Sequence, residues 1–469
     1  MNEKCFGVII SSRRFFNSKL AIEGREKLLK KLDELGFKYV VLSTQDTEGG
    51  VVSSVEDAVK CASLFKANED KIKGIIISLP NFGDEVAVST AIKLSGLNVP
   101  VLVHGFNDDM NKMEVENRRD AFCGKISVCN NLYQMGIKFT TTTLHTCDVE
   151  DSVFEEDLRN FNSICNIVDG LRNINILQLG TRPAPFKTVR YSEKLLQRYG
   201  INVIPVDLSE VIAYANSLDA NSSVVKENIE RIKNYGYIEN EEKEKVEKSA
   251  KLLTAIEYFT KTNNCKAGAI QCWESIQNNY GTATCLPMSI LTESGTPFAC
   301  ETDIMGAISM LILYYASGIP AGYVDWNNNY DNDPNKCIAF HCSAYAKSFL
   351  AKVPTIGTLE ILGATLGYEK CFGCIKGRIA KGDMTYFKLS TDDIQGKVKG
   401  YVGEGEFTDD PVNTCGAYGV CYVPKLQELM SYICENGFEH HVAMGRGKVA
   451  KIINEATNKY LGWDIYWHQ

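Results

Sequence analysis

At 469 residues the chain is long enough for about three domains, taking roughly 150 residues for each. Hydrophobic residues make up 45% of it and charged residues 23%, which is the balance of a globular protein with sizeable cores. The net charge of −8, with dispersed basic residues, argues against nucleic-acid binding, and no apolar run is long enough to cross a membrane.

Residues 1–150 alternate predicted strands and helices. Short apolar, β-branched runs predict strands at 6–10, 39–42, 74–79 and 99–104. Amphipathic stretches between them predict helices, and this alternation is typical of a doubly wound parallel sheet. Ligands of such sheets gather beyond the carboxyl ends of the strands. Arg13 and Arg14 follow the first strand and occupy such a position.

Residues 151–318 predict a second α/β domain of the same kind. Its strands are expected at 174–179, 203–206 and 267–272. The segment 301–317 is apolar on several faces and predicts a buried helix. This domain carries Gln271, near the end of its last strand, and Glu301, at the start of the buried helix.

Residues 319–469 predict a smaller, β-rich domain. Lys381-Gly382-Asp383 separates two apolar runs, 374–380 and 384–389, and predicts a hairpin between them. Further strands are expected at 396–407 and 420–423, with a closing helix at 425–434. We therefore expect an α/β protein with two doubly wound parallel-sheet domains, followed by an antiparallel, barrel-like C-terminal domain.

Three residues between 301 and 341 suggest a metal site. Glu301, Asp325 and His341 each lie at the edge of an apolar element, and Asp325, which ends the apolar run 319–324, is expected at a strand tip. Taken singly, each has an ordinary structural explanation: an acid at a helix N-terminus, a turn residue and a hydrogen-bonded histidine. Together they match the two carboxylates and one or two imidazoles of an oxygen-rich divalent site.

Two segments, 298–303 (FACETD) and 322–325 (GYVD), resemble the core of the L-fucose isomerases, including the spacing between the two acids. Segment 437–442 (GFEHHV) is similar to the family's histidine segment, in which the aligned residue is His440. The sister family, the L-arabinose isomerases, has a further histidine near the position of His341. The resemblance implies Mn²⁺, or another divalent cation, bound by Glu301, Asp325, His341 and His440.

The resemblance also implies the activity, a metal-dependent aldose–ketose isomerisation that moves a proton between C1 and C2 through an enediolate. Glu301 and Asp325 would then be the catalytic acid–base pair as well as metal ligands. Gln271 matches a glutamine that the fucose enzymes place against substrate, and Glu439 stands where they have Asn. The expected substrate-binding residues are Gln271, Arg13, Arg14 and Glu439.

Two alternatives remain open. One is an isomerase of an anionic or unusual sugar, such as a sulfonated hexose, with Arg13 and Arg14 pairing with the anionic group. The other is a non-catalytic sugar-binding protein on the same scaffold, although a binder has no use for a buried divalent site. The resemblance further implies a homo-oligomer, a hexamer or trimer with shared active sites. The 17 scattered cysteines and the absence of a secretory pattern predict a cytoplasmic location.

Overall fold

The computed structural model describes residues 4–240, 243–341 and 344–469. Internal contacts divide the chain into two compact units, Met1–Gly170 and Leu171–Gln469, each with its own hydrophobic core. The expected domains 1–150, 151–318 and 319–469 stay a prediction. Among the described residues, no helix combines the length and the apolar composition that a membrane crossing requires.

The first unit is the α/β sheet that the sequence predicted. Its five strands are all parallel, in the order β2-β1-β3-β4-β5. The strands are β1 (Cys5–Ile10), β2 (Tyr39–Val41), β3 (Ile72–Leu79), β4 (Val101–Gly105) and β5 (Thr140–Thr141). The helices are α1 (Ser18–Glu34), α2 (Val55–Lys66), α3 (Glu85–Ser95), α4 (Ala121–Gln134) and α5 (Ser152–Gly170).

The second unit begins with a four-stranded parallel sheet, and this confirms the second α/β element of the predicted fold. Its strands lie in the order β10-β9-β6-β7. They are β6 (Ile174–Leu179), β7 (Ile201–Val206), β9 (Cys265–Ile270) and β10 (Phe298–Ala299), whereas β8 (Tyr237–Ile238) pairs elsewhere. The helices around it are α6 (Glu193–Arg198), α7 (Leu208–Ser217), α8 (Ser223–Lys233), α9 (Lys243–Thr262), α10 (Ser275–Asn279) and α11 (Cys285–Glu293).

The rest of the second unit is a largely antiparallel sheet, as predicted. Its strands are β11 (Gly322–Tyr330), β12 (Asp333–His341), β13 (Thr355–Thr358), β14 (Phe372–Arg378), β15 (Gly382–Asp392), β16 (Lys397–Thr408), β17 (Ala417–Tyr422), β18 (His441–Arg446) and β19 (Asp464–Trp467). An additional β16–β17 pairing closes six of them into a ring, in the order β16-β15-β18-β11-β12-β17. Two short helices, α13 (Glu360–Leu366) and α14 (Leu426–Glu435), accompany the sheet.

The helix α12 (Ile304–Ser317) lies between the parallel sheet and the ring of strands. It contacts β9 on one side and β15 and β18 on the other, and almost every residue in it is buried. Its first turn is capped by Asp303, whose side chain accepts a hydrogen bond from the Gly306 backbone at 2.7 Å. Another short helix, α15 (Ala450–Asn454), follows β18. The helix α12 therefore fixes the segment that precedes it, 300–303, against both sheets.

Two local expectations were wrong. The predicted hairpin does not form, because β14 pairs with β13 and β17 whereas β15 pairs with β16 and β18. Asp325 is not at a strand tip but is the fourth residue of the nine-residue strand β11. Its carboxylate therefore projects from a strand held on both sides by neighbours, a more rigid position than a turn.

Candidate active site

Glu301 occupies an unusual backbone turn between β10 and α12. Both Glu301 and Thr302 have positive φ angles, 52° and 54°. For non-glycine residues this region costs of order 1–3 kcal/mol each, and a β-branched residue such as Thr302 adopts it rarely. The turn is held because the Thr302 backbone N–H donates to the Ile270 carbonyl at the end of β9. Such strain is concentrated at functional sites.

The side chain of Glu301 is oriented by neighbours from the end of β9. Trp273 Nε1 donates to its Oε1 at 2.9 Å, and Cys272 Sγ donates to the same oxygen at 3.2 Å. The second oxygen, Oε2, faces the imidazoles of two histidines. These are His341, with Nε2 at 3.8 Å, and His441, with Nε2 at 3.6 Å. One carboxylate oxygen is thus held by the protein while the other faces the site.

Asp325 completes the cluster from the adjacent strand. In the β11–β18 pairing Asp325 lies directly opposite His441, and its Oδ1 is 3.5 Å from His441 Nε2. His440 Nε2 is 3.9 Å from the same oxygen, but the His440 side chain is 43% exposed whereas that of His441 is 1% exposed. Burial lowers the pKa of His440, and the neighbouring His441 lowers it further. His441 is therefore the histidine that contacts both carboxylates.

These spacings fit a divalent cation better than direct hydrogen bonds. Distances of 3.5–3.8 Å between carboxylate oxygens and imidazole nitrogens exceed normal hydrogen bonds. Metal–ligand bonds of about 2.0–2.2 Å place neighbouring ligand atoms about 3–4 Å apart. The buried Oδ1 of Asp325 accepts no hydrogen bond from any described residue. Glu301, His341 and His441 form one possible ligand group, and Asp325, His440 and His441 form another.

A thiol-containing group also lies near Glu301. Cys272, Cys300 and Glu301 bring ligand atoms within 4.8 Å of one another. Cys272 Sγ already donates to Glu301 Oε1 and accepts from the Glu301 backbone N–H, so this thiol orients the carboxylate. The set on the histidine side offers only oxygen and nitrogen ligands and could hold a divalent cation.

A buried network behind His441 sets its orientation. His441 Nδ1 lies 3.2 Å from Asp303 Oδ2, which directs Nε2 toward Glu301 and Asp325. Lys388 Nζ donates to the same Asp303 oxygen at 2.7 Å, and Tyr323 also donates to it. Burial alone would raise the pKa of Asp303, but Lys388 and His441 hold that pKa well below its usual range. Asp303 therefore stays charged, and a charged carboxylate favours the tautomer with its proton on Nδ1.

We expect Asp303→Asn to weaken metal binding by about 10–100-fold, because the amide is a weaker acceptor for the His441 Nδ1–H. The same change leaves the buried Lys388 ammonium without its counter-charge and should destabilise the fold by about 3–5 kcal/mol. Titration calorimetry with Mn²⁺ and urea unfolding measure the two effects separately. The double variant Asp303→Asn/Lys388→Met removes both charges and should recover stability but not metal affinity. Recovery of both would show that Asp303 acts only through the fold.

The predicted substrate-binding residues Gln271 and Glu439 line two different cavities, and only that of Glu439 is also lined by Thr302, the neighbour of Glu301. Gln271 follows β9, and its Oε1 accepts a hydrogen bond from the Thr181 backbone at 3.1 Å. Glu439 is buried; its Oε1 accepts from Ser390 at 2.7 Å, while its Oε2 accepts no hydrogen bond from the described residues. Burial raises the pKa of Glu439, and the positive charge of Lys388 partly offsets this rise. A buried carboxyl group with one oxygen that accepts no hydrogen bond from the described residues suits recognition of a substrate hydroxyl group.

Arg13 and Arg14 belong to the first unit. Arg13 forms an ion pair with Glu85 and donates to the Gly83 carbonyl, whereas Arg14 is exposed. His104, at the end of β4, is fully buried between Ser78 and the Cys147 carbonyl, and burial lowers its pKa to about 4. The roles expected for Arg13 and Arg14 in substrate binding stay predictions.

His441, Asp303 and Lys388 are not among the site residues predicted from the sequence. A partial signal was present, since His440 and His441 are adjacent and successive residues of a strand point to opposite faces. Only the register opposite Asp325 shows which of the two imidazoles is buried in the cluster. Lys388 carried no signal at all, because a lysine in a strand is normally solvent-exposed.

Comparisons with known proteins indicate the family of this chain. Residues 7–172 match the fucose/sulfoquinovose isomerase N-terminal domain, and residues 339–468 match the L-fucose isomerase C-terminal domain. The sulfoquinovose isomerase of Alkalicoccus urumqiensis is 26% identical over 311 residues, 65% of this chain and 68% of that protein. That of Priestia aryabhattai is 26% identical over 295 residues, 62% of this chain and 64% of that protein.

A third sulfoquinovose isomerase, from Clostridium sp. (strain MSTE9), is 24% identical over 283 residues, 60% of this chain and 61% of that protein. These alignments thus cover between 61% and 68% of the relatives' own lengths. Among solved structures, the PH0520 protein from Pyrococcus horikoshii OT3 aligns with 64% of this chain and 85% of its own at 13% identity; its TM-score of 0.13 carries no weight. The two domain matches and these relatives show that the chain belongs to the fucose isomerase-like family, whose members are aldose–ketose isomerases and thus intramolecular oxidoreductases.

Proposed function

We propose that this chain is a metal-dependent aldose–ketose isomerase and that its substrate is a sulfonated hexose. The observation that carries the proposal is the convergence of Glu301, Asp325 and His441, with oxygen–nitrogen distances of 3.5 and 3.6 Å, beside the buried His341. The sulfonated substrate is supported by the relatives, all of which are named sulfoquinovose isomerase. This favours the anionic-sugar alternative over a neutral sugar such as fucose or arabinose.

The residues that would hold Mn²⁺ are Glu301, Asp325, His341 and His441, with His440 as a further candidate at the exposed side. When bound, the cation would act as a Lewis acid that stabilises the negative charge developing on the substrate oxygens. Asp303 would keep the His441 proton on Nδ1 so that Nε2 remains available.

The proton transfer itself falls to the two carboxylates. One of them removes the proton from C2 of the aldose to give the enediolate, and a proton is returned at C1 to give the ketose. In the same conversion the C2 hydroxyl loses its proton and the C1 oxygen gains one, so that no proton is lost or gained overall. Trp273 and Cys272 hold Glu301 Oε1, so that Oε2 is the oxygen presented to the site. The partly exposed Asp325 carries the second carboxylate, with a side chain 26% exposed. A non-catalytic sugar binder would gain nothing from this pair of converging acids.

Removal of the metal tests the proposal. We expect exhaustive EDTA treatment followed by desalting to abolish interconversion of a sulfonated aldose and its ketose, and Mn²⁺ to restore it. A panel of neutral aldoses, including fucose and arabinose, should be converted more slowly than the sulfonated sugar. Full activity in the chelated protein would reject the requirement for a metal. A preference for a neutral sugar would reject the proposal of a sulfonated substrate.

We also expect Glu439 to select among sugars. In Glu439→Asn, relative kcat/KM values across the panel should change by about 10–100-fold, the worth of a hydrogen bond that involves a charged or ionisable group. Glu435→Gln, an exposed acid on the same cavity wall, is the matched control and should leave the preference unchanged. An unchanged preference in Glu439→Asn would remove Glu439 from the substrate-binding set.

The expected homo-oligomer, a hexamer or trimer with shared sites, and the cytoplasmic location are retained in this proposal as predictions. Light scattering at micromolar concentration measures the assembly, and a fully active monomer would reject shared sites.

A further inference from the structure

A loop from the parallel sheet lies against the candidate active site. Residues 181–190, which we name the cation loop, connect β6 to the short helix α6. Its base is tied by the Thr181–Gln271 hydrogen bond and by Tyr191, whose hydroxyl donates to Gln178 at 2.7 Å. At its centre the Phe186 ring packs on His440 and His441, with ring centroids 5.5 and 6.0 Å apart. These contacts fix the position of the cation loop relative to the two histidines.

The cation loop carries three positive side chains, Arg182, Lys187 and Arg190. Two of them form hydrogen bonds with loop carbonyls: Arg182 donates to the carbonyls of residues 183 and 184, and Arg190 donates to that of Lys187 at 2.9 Å. Within the described part of the chain, none of the three forms an ion pair with a carboxylate. Two lysines on the facing wall differ in this respect, since Lys397 pairs with Asp464 and Lys399 with Asp392.

These cations line a cavity of about 940 Å³. Thr302, next to Glu301, lines it, and so does Glu439, whose buried Oε2 accepts no hydrogen bond among the described residues. Two exposed acids also line the cavity, Asp393 on the facing wall and Glu193 at the start of α6, and each would repel an anion near it. The charge distribution leaves the cation loop as the side of the cavity that attracts an anionic group.

We propose that the cation loop, in place of Arg13 and Arg14, binds the sulfonate of the substrate, on the carbon most distant from the C1 and C2 oxygens. This assignment rests on the proposed function. A sulfonate stays ionised at neutral pH and offers oxygens that guanidinium groups bind through paired N–H donors. Phe186 would set the distance between the anionic group and the histidines, because Lys187 follows it directly. A phosphate ester presents the same chemistry with more charge, so the test includes both anions.

Binding measured by titration calorimetry on the Mn²⁺-loaded full chain tests the assignment. The probes are 6-deoxy-6-sulfo-D-glucose, 6-deoxy-D-glucose, which lacks only the sulfonate, and D-glucose 6-phosphate. We expect Arg182→Ala and Arg190→Ala each to weaken binding of the sulfonated sugar about 10–100-fold and to leave 6-deoxy-D-glucose unaffected. Lys194→Ala, an exposed lysine on α6 outside the cavity, should bind like wild type.

The outcomes separate this assignment from the proposed function. If wild type binds the sulfonated sugar through the loop but converts none of it, the proposed function fails and the loop assignment holds. If wild type converts it and the loop variants bind both 6-deoxy sugars as wild type does, the loop assignment fails alone. If the loop variants bind the charged and the neutral sugars equally more weakly than wild type does, the loop assignment is also overturned. If the phosphate ester binds more tightly than the sulfonated sugar, and through the loop, the choice of sulfonate is overturned.

Discussion

Glu301→Gln and Asp325→Asn are each expected to lower kcat by about 10²–10⁴-fold, the contribution of a general acid or base. Each amide keeps the shape of the acid but can neither accept the substrate proton nor balance a divalent cation. The loss should persist at saturating Mn²⁺, because it concerns proton transfer as well as metal binding. Steady-state rates with the sulfonated aldose, at several Mn²⁺ concentrations, measure it.

Stability gives the control for this pair of variants. The segment 300–303 is held by the buried helix α12, and Asp325 lies within a strand paired on both sides, so circular dichroism should show a folded protein. Glu428→Gln, an exposed acid on α14, should keep wild-type rates. A kcat within about threefold of wild type in either site variant would exclude that carboxylate from catalysis, given the effects expected for a general acid or base.

His441→Gln is expected to weaken Mn²⁺ binding by more than about 100-fold, whereas His440→Gln should change it by less than about tenfold. Loss of a partner that only orients a metal ligand already lowers metal affinity by about 10–100-fold, so loss of the ligand itself should lower it more. His441 is buried and contacts both carboxylates, whereas His440 is 43% exposed and lies 3.9 Å from one of them. The glutamine amide can still donate to Asp303, which limits the effect on folding.

The adjacent positions make these two histidines matched controls for each other. Titration calorimetry with Mn²⁺ gives the dissociation constants, and thermal unfolding of the metal-free variants shows whether the fold is affected. A larger loss in His440→Gln than in His441→Gln would assign the ligand role to His440, the histidine that the family resemblance selected from the sequence.

The acids of the site could be found from the sequence because each lies next to a strongly apolar element. Glu301 precedes the buried helix α12, and Asp325 follows an apolar run, so both positions were visible as polar residues at apolar boundaries. His441 could not be separated from His440 in this way. Which of the two histidines enters the cluster depends on which one lies opposite Asp325 in the pairing of β11 with β18. Strand register is a property of the assembled sheet.

The missed hairpin has the same physical origin. Lys381-Gly382-Asp383 is a valid local turn signal, and strands do flank it. The signal does not specify whether those strands pair with each other, and here β14 and β15 are separated by four strands in the sheet order. Alternation of elements predicted the parallel sheets because sequential βαβ units form neighbouring strands, whereas pairing between distant segments leaves little trace in local sequence.

The buried pair of Asp303 and Lys388 could not be predicted from the sequence either. The two residues are 85 positions apart, and neither lies in a recognisable motif with the other. Both are almost completely buried, an environment that charged side chains tolerate only when paired. Their proximity follows from the packing of α12 against β15, which only the folded chain reveals.

The most direct measurement of the central claim follows the reaction by NMR in D₂O. The Mn²⁺-loaded protein is incubated with 6-deoxy-6-sulfo-D-glucose, and the spectra are recorded over time. Our account predicts that the corresponding 2-ketose accumulates with deuterium at C1, because the proton removed from C2 exchanges with solvent on a carboxylate before C1 is protonated. Absence of any ketose at full metal loading would contradict the account.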